Sequence, residues 1–219
     1  MDKFYKDKDA VYYEHSRPEL LPFVPTNVRK VLDVGCGKGN FGKLLKEKFN
    51  CIVWGIEPDE KSAEEAAKVI DYAFKGFFDA KMVASLTAKY DSIFFNDVFE
   101  HLADPEEALE LCKTILAEDG VIVTSIPNIR FFTALQEILF NKDFPYQESG
   151  ILDKTHLRFF TKKSILRMFE QNGYNVLSIE PINIHEITSR KMNVMRFFFR
   201  KWLDDIDVLQ YAVVAKPID

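Results

Sequence analysis

Cysteine is scarce in this chain of 219 residues, which contains only three. Cys36, Cys51 and Cys112 are odd in number, and their spacing matches none of the patterns typical of metal-binding cysteines. This argues against a disulfide framework and predicts reduced thiols, as in a cytoplasmic protein. We therefore expect no metal site built on cysteine, and the sequence predicts no other metal site.

Long apolar runs are also missing, because no stretch approaches the roughly 20 residues that cross a bilayer. The first ten residues, MDKFYKDKDA, carry charges throughout and are unlike a signal peptide. No repeats or low-complexity tracts are present. We expect a cytoplasmic protein with no stable membrane insertion.

An excess of positive charge is the third absence. Asp and Glu number 34 against 29 Lys and Arg, which gives a formal net charge of -5. Nucleic-acid surfaces normally need a concentrated basic field, so no nucleic-acid partner is expected. With 47% hydrophobic and 29% charged residues, the composition is typical of a globular protein, and the length suits one domain.

From residue 28 onward, strand-like and helix-like segments alternate. The strand-like segments are VRKVLDV, CIVWGIE, DYAFK, YDSIFFND, EDGVIVTSIPN, YNVLSIEPI and QYAVVAKP. Helical periodicity follows several of them, as in NFGKLLKEKF and DPEEALELCKTIL. Strands that alternate with helices predict crossover units, and hence an α/β, Rossmann-like fold with a seven-stranded, mostly parallel sheet covered by helices on both faces.

The same pattern suggests how the single domain is organised. We predict an N-terminal helical arm over 1–27, a ligand-binding core over 28–127, an inserted lid over 128–160, and completion of the sheet over 161–219. The stretch 128–160 is aromatic, irregular and too long for an ordinary connection, so a functional lid is expected there. An aromatic and basic segment, 181–208, is expected to pack against the lid or a homodimer partner.

The stretch VLDVGCGKGN, residues 31–40, combines a strand with a glycine-rich turn. A dinucleotide-binding turn requires G-x-G-x-x-G, but here Gly35, Gly37 and Gly39 are two apart and Asn40 occupies the third glycine's position. Asp33 would repel a pyrophosphate and is better suited to a ligand cation. The turn therefore favours a ligand without phosphate.

Several motifs in register resemble those of the class I S-adenosylmethionine-dependent methyltransferases. VLDVGCGKGNFG is similar to their first motif, GIEPD to their ribose-binding stretch, and FNDVFEHLADP and EDGVIVTSIPN to the segments at their fourth and fifth strands. This resemblance covers 28–127. GILDKTHLRFFTKKSILRMFEQNGY, residues 150–174, resembles a subgroup associated with surface-polysaccharide and other sugar modification. The resemblance implies methyl transfer from S-adenosyl-L-methionine to a small molecule, with a sugar or glycan-precursor hydroxyl as one acceptor.

The resemblance also implies a set of donor-binding residues. They are Tyr13, Arg17, Asp33, Gly35, Gly37, Gly39, Glu57, Pro58, Phe78, Asp79, Asn96 and Asp97. Glu57 would accept hydrogen bonds from the ribose hydroxyls, and Arg17 would reach the donor carboxylate or remain a solvated charge. Phe78 is either an adenine contact or a core residue. Asp79 either accepts from the adenine amine or caps the next helix.

Two histidines are candidate catalytic residues. His101 follows the fourth strand, and His156 lies in the returning part of the lid, so either can act as general base for an oxygen nucleophile. Alternatively, His101 only holds its loop. Asp153 and Arg158 either pair with each other or leave Arg158 to bind a substrate phosphate or carboxylate.

Two other functional classes fit parts of this pattern. A nicotinamide-dependent oxidoreductase would share an acid at the end of the second strand, but the glycine spacing disfavours it. A non-catalytic S-adenosylmethionine-binding partner subunit would keep the donor site and lose the acceptor chemistry.

Overall fold

The computed structural model describes residues 16–186 and 202–218. The strands are β1 Lys30–Val34, β2 Ile52–Glu57, β3 Tyr72–Lys75, β4 Tyr90–Asn96, β5 Leu116–Pro127, β6 Tyr174–Ile184 and β7 Val208–Pro217. The α-helices are α1 Asn40–Phe49, α2 Glu60–Ala66, α3 Ala80–Ser85, α4 Pro105–Ile115, α5 Phe132–Gln136 and α6 Lys162–Gln171. Two 3₁₀ turns, Pro18–Phe23 and Phe99–His101, and a π-helical turn, Glu137–Asn141, complete the described elements.

All seven strands form one sheet in the order β3-β2-β1-β4-β5-β7-β6. The pairs among β1 to β5 are parallel, whereas β7 runs antiparallel to both β5 and β6. The seven-stranded Rossmann-like sheet expected from the sequence is confirmed, but it is mixed because the last strand is reversed. The strand order changes direction between β1 and β4, which is where such sheets open a crevice for a ligand.

Both faces of the sheet are buried. Leu32 and Val34 of β1 belong to one hydrophobic cluster, while Val31 belongs to a second cluster on the opposite face. Successive strand residues point to opposite faces, so a strand covered on both sides reads as a continuous apolar run. This explains why VRKVLDV shows no alternation of polar and apolar residues.

Helix starts follow the expected capping chemistry. Asp104 caps α4 by accepting a hydrogen bond from the Glu107 amide at 2.9 Å, and Pro105 occupies the first helical position. Thr161 and Ser164 form a reciprocal capping box at the start of α6. Each cap supplies a hydrogen-bond partner for a backbone amide that the first helical turn leaves without one.

The segment that links β5 to α6 has a small core of its own. Phe131, Ala134, Ile151 and Leu152 are buried together, separate from the two sheet clusters. Other aromatics of this segment are exposed, and Tyr146 is 65% exposed. Residues 128–160 are therefore only partly packed in this conformation.

Two of the segments predicted from the sequence lie partly outside the described residues. Of the predicted arm over 1–27, the described part forms only the 3₁₀ turn Pro18–Phe23, rather than an α-helix. Most of the aromatic and basic segment predicted over 181–208 lies outside the described residues. The first residues of that segment belong to β6, which extends to Ile184. Within 16–186 and 202–218, no helix is long and apolar enough to cross a membrane.

Candidate active site

A cavity of about 480 Å³ opens at the carboxyl ends of the central parallel strands. This is the edge where β1 and β4 diverge, the usual ligand position in such sheets. Nine of the residues expected at the donor site line it: Arg17, Asp33, Gly35, Gly37, Glu57, Pro58, Phe78, Asn96 and Asp97. His101, which was expected as a catalytic residue, lines it as well. Tyr13 lies outside the described residues.

The glycine turn brings backbone to the cavity wall. Gly35 has φ +71°, and a Cβ atom added there would lie 2.7 Å from Val98 Cγ2. Its amide donates to the Ile56 carbonyl at 2.8 Å, which joins the turn to the end of β2. A side chain at this position would thus be strained by the backbone and by its neighbour.

Gly39 has a different position from the one expected. It does not line the cavity but precedes α1 with φ +80°, and an added Cβ atom would meet Val69 Cγ2 at 2.8 Å. The third glycine therefore serves helix packing, and its place in the donor-binding set is not supported by this geometry.

Glu57 is held at the end of β2 by two backbone amides. Its oxygens accept from Gly37 N and Asp59 N, both at 2.9 Å. The residue is 4% exposed, and burial raises its pKa to about 7 against the lowering effect of those two hydrogen bonds. Each oxygen keeps a further lone pair, so the carboxyl group can accept from two ligand hydroxyls.

Asp33 is the most unusual polar residue of the cavity. It is 1% exposed, and neither carboxyl oxygen has a hydrogen-bond partner among residues 16–186 and 202–218. Burial, and then the negative charge of Glu57, raise its pKa to about 8. Because a buried, unpaired carboxylate is costly, this position suits a ligand that brings a cation.

Aromatic residues form the wall beyond β3. Phe78 lines the cavity and packs edge-on against Phe95 at a ring separation of 5.3 Å. It is thus both a cavity contact and part of the core. Phe77, which the sequence did not single out, also lines the cavity and is 42% exposed.

Asp79 lies outside this wall. Its Oδ1 accepts from the Met82 amide at 2.8 Å as the N-cap of α3, and it is absent from the cavity lining. The helix cap is the role that this geometry supports, rather than a contact to adenine.

Arg17 and Asp97 form an ion pair at the cavity edge. The other carboxyl oxygen of Asp97 accepts from Ser125 Oγ at 2.8 Å and Gln210 Nε2 at 2.6 Å. Asp97 also has φ +54°, an uncommon conformation for a residue with a side chain. These contacts fix the orientation of the Asp97 carboxylate and occupy its hydrogen-bond acceptor positions. The role of Asp97 is therefore to hold the neighbouring side chains at the cavity edge. Gln210, a residue of β7, carried no signal in the sequence.

A second, smaller cavity of about 120 Å³ adjoins the first, since Asp97, His101 and Gly150 line both. His156 lines only the smaller one. The rings of His101 and His156 meet edge to face with centroids 4.8 Å apart. The structure therefore brings the two predicted catalytic histidines together next to the larger cavity.

Each histidine is oriented by a backbone carbonyl. His101 Nδ1 lies 3.1 Å from the Thr155 carbonyl oxygen, and His156 Nδ1 lies 2.9 Å from that of Ile151. His101 thus also has the loop-holding role considered as its alternative. Holding the loop uses Nδ1 of His101 and acting as a general base would use Nε2, so the two roles are compatible.

Glu100, which the sequence did not single out, completes this group. It is 1% exposed and lines the smaller cavity. Burial raises its pKa to about 8, against the lowering effects of its own backbone amide and of nearby Arg17, while Asp153 raises the pKa further. Its backbone carbonyl accepts from the amides of Leu157 and Arg158 at 2.7 and 3.0 Å. The loop after β4 is thereby tied to the returning part of the 128–160 segment.

Arg158 and Asp153 have separate contacts. The Arg158 guanidinium donates to the Ala103 carbonyl at 2.6 Å and the residue is exposed. Asp153 is buried, and its Oδ1 accepts from the amide and hydroxyl of Thr155. Both residues order the returning loop, Arg158 through a carbonyl rather than through Asp153.

Comparisons with known proteins agree on one family. A family model described as a methyltransferase domain matches residues 5–179. The chain is 36% identical over 109 residues to a ubiquinone biosynthesis O-methyltransferase of Actinobacillus pleuropneumoniae, covering 46% of each protein. It is 27% identical over 172 residues to the mitochondrial ubiquinone biosynthesis O-methyltransferase of Bos taurus, covering 72% of this chain and 44% of that protein.

The fold has solved counterparts. A SAM-dependent methyltransferase from Archaeoglobus fulgidus superposes with a TM-score of 0.69 at 23% identity, over 90% of this chain and 91% of that one. At this identity the likeness shows the fold alone. The alignments to both curated relatives span less than half of the relatives' length.

Proposed function

The chain belongs to the methyltransferase domain family, and we propose that it transfers a methyl group from S-adenosyl-L-methionine to a hydroxyl of a small-molecule acceptor. The observation that carries the proposal is the larger cavity, in which Asp33 and Glu57 stand at the ends of adjacent parallel strands. One buried carboxyl group without a protein partner and one with free lone pairs match a ligand that has an ammonium and a ribose diol.

In the proposed complex the donor lies along the larger cavity. Its ammonium pairs with Asp33, its ribose hydroxyls with Glu57, and its adenine packs against Phe78 beside Pro58. The carboxylate of the donor is expected near Arg17, which already lines the cavity and can bind a carboxylate through two N–H groups. A volume of about 480 Å³ is within the range typical of small-molecule sites.

The acceptor side is the smaller cavity. It shares lining residues with the larger one, so an oxygen placed there can lie next to the donor's methyl group. In the reaction, the acceptor oxygen forms a bond to the methyl carbon while the carbon–sulfur bond breaks, and sulfur keeps the electron pair. The hydroxyl proton must leave, and Glu100, His101 and His156 are the groups placed to activate that hydroxyl.

For the acceptor itself, we propose a sugar or glycan-precursor hydroxyl, on the basis of the 150–174 motif. Four residues of that motif, Gly150, Ile151, Asp153 and His156, line the smaller cavity. The curated relatives are named for O-methylation in ubiquinone biosynthesis, which supports an oxygen nucleophile and makes a phenolic hydroxyl the competing acceptor. Residues 128–160 would close over the bound acceptor and exclude water.

The test has two parts. Calorimetry should show binding of S-adenosylmethionine and S-adenosylhomocysteine and no binding of NAD(H); the reverse result would establish a nicotinamide enzyme. Release of S-adenosylhomocysteine should then be screened over nucleotide sugars, glycans and phenols. Donor binding with no turnover on any hydroxyl acceptor would favour the non-catalytic partner subunit.

A further inference from the structure

We propose that Glu100, His101 and His156 bind one divalent transition-metal ion, of the Zn²⁺ class, in the smaller cavity. This inference rests on the proposed function, because the ion would hold the acceptor oxygen beside the methyl donor. One ligand atom from each of the three residues lies within 4.8 Å of the others.

The three ligand atoms can reach one ion after a limited closure of the group. Zinc binds imidazole nitrogen and carboxylate oxygen at about 2.0–2.2 Å, so two ligands of a tetrahedral site lie about 3.4 Å apart. The widest pair, which is separated by no more than 4.8 Å, therefore needs to approach by up to about 1.4 Å.

Both imidazoles carry the second contact that metal-binding histidines usually have. A backbone carbonyl can only accept a hydrogen bond, so the Nδ1 atom facing it in His101 and in His156 carries the hydrogen. The neutral ring then has its lone pair on Nε2, the atom that can bind a cation. A donor bond from one ring nitrogen to a carbonyl fixes the tautomer and orientation of a ligating histidine.

Glu100 supplies an independent observation. Across the part of the chain that the structure describes, neither of its carboxyl oxygens has a hydrogen-bond partner, and the residue is 1% exposed in the cavity wall. A buried acid without partners normally has a ligand, a proton or a metal to compensate it. Arg17 is the nearby cation and Asp153 the nearby acid, but neither donates a hydrogen bond to Glu100.

The backbone holds these ligands in place. Glu100 and His101 lie in one 3₁₀ turn, and the Glu100 carbonyl accepts from Leu157 and Arg158, immediately after His156. The ligand-bearing turn and the returning loop are therefore joined before any ion binds, which lowers the cost of assembling the site.

The ligand set indicates the kind of ion. Two imidazoles and a carboxylate suit Zn²⁺ and similar transition metals, whereas Mg²⁺ prefers oxygen ligands. Three protein ligands leave a position open, as in catalytic sites. An acceptor hydroxyl bound there would have a lowered pKa and release its proton to solvent, which leaves a nucleophilic oxygen next to the methyl group.

The experiment uses the full chain, stripped of metal with a chelator and titrated with Zn²⁺, Co²⁺ and Mg²⁺ by calorimetry. We expect one Zn²⁺ per chain, a Co²⁺ visible spectrum typical of nitrogen ligation, and weak or no binding of Mg²⁺. Glu100→Gln and His156→Ala should each weaken Zn²⁺ binding at least about tenfold, in line with the loss of one ligand. His185→Ala is the matched control, because His185 is exposed and lies in neither cavity.

S-adenosylhomocysteine affinity, measured on the same samples, separates the two proposals and shows that each variant is folded. Wild-type protein that binds S-adenosylhomocysteine but no Zn²⁺ or Co²⁺ overturns the metal site and leaves the proposed function standing. The buried carboxyl group of Glu100 would then be neutralised by a proton instead of a metal ion. Equal loss of Zn²⁺ binding in His185→Ala also overturns it. Zn²⁺ binding without S-adenosylhomocysteine binding overturns the proposed function instead.

Discussion

Replacing Asp33 with Asn should stabilise the ligand-free protein at alkaline pH and weaken its binding of S-adenosylmethionine. The pKa of Asp33 is raised from 3.8 to about 8, by burial first and by Glu57 second. Between those two values the folded state keeps a proton that the unfolded state has released. The free energy of unfolding therefore falls as the pH rises through this window.

The size of the effect follows from the shift. Each pKa unit corresponds to about 1.4 kcal/mol, so the shift sets an upper limit of about 5 kcal/mol at pH 8. Water entry and relaxation reduce this, and Asn keeps one unpaired polar group. We expect Asp33→Asn to raise the free energy of unfolding at pH 8 by about 1–3 kcal/mol. Part of the pH dependence should persist, because burial also raises the pKa of Glu57 to about 7.

Urea unfolding at pH 5 and pH 8, without ligand, measures the stability change. Calorimetry with S-adenosylmethionine measures the other half, where loss of the carboxylate facing the ammonium should weaken binding at least about tenfold, or about 1.4 kcal/mol. Asp119→Asn is the control: Asp119 is fully exposed and pairs with Lys216 at the surface, so its replacement should change stability little and leave donor affinity unchanged. If the variant is no more stable than wild type at pH 8, burial of the Asp33 carboxyl group does not destabilise the free protein. If the variant keeps full donor affinity, Asp33 does not bind the donor ammonium.

Three further substitutions test single residues. Glu57→Gln should weaken S-adenosylmethionine binding by about 1–3 kcal/mol in calorimetry, the scale of hydrogen bonds to a charged group; an unchanged dissociation constant would remove Glu57 from the site. Asp79→Ala should lower the free energy of urea unfolding by about 1 kcal/mol through loss of the α3 cap, yet leave donor affinity unchanged; weakened donor binding would restore the adenine contact. His156→Ala should reduce turnover of the acceptor found by screening by about 10²-fold or more while donor affinity stays within about threefold; full activity would leave the returning loop a packing element.

The donor half of the site was predictable because its residues follow local patterns. A strand, a glycine turn and an acid lie within ten residues around Asp33, and Glu57 ends the next strand. Parallel strands bring their carboxyl ends to one edge, so the ends of β1 and β2 had to meet. Caps such as Asp104 are likewise local, because the side chain accepts from the amide of Glu107, three residues further along the chain.

At two positions the structure supports a role other than the ligand contact that the local pattern suggests. Gly39 has the spacing of a ligand-contacting glycine, but the positions of Ala66 and Val69 make it a packing glycine. Asp79 follows a strand as a binding acid would, and its side chain is used instead by the helix that it caps. The exposure of Tyr146, in contrast, depends on how the 128–160 segment folds back onto the domain.

The acceptor half depended on long-range packing almost entirely. His101 and Thr155 are 54 residues apart, and Asp97 and Gln210 are 113 apart, so no periodicity or motif relates them. Their contacts follow from the reversal of β7 and from the return of the 128–160 segment to the Glu100 carbonyl. The sequence alone thus determined which strands end in acids that line the larger cavity, because strand period and turn chemistry are local. Only the tertiary structure placed the buried carboxyl of Glu100 beside two histidines, because that meeting depends on how distant segments pack.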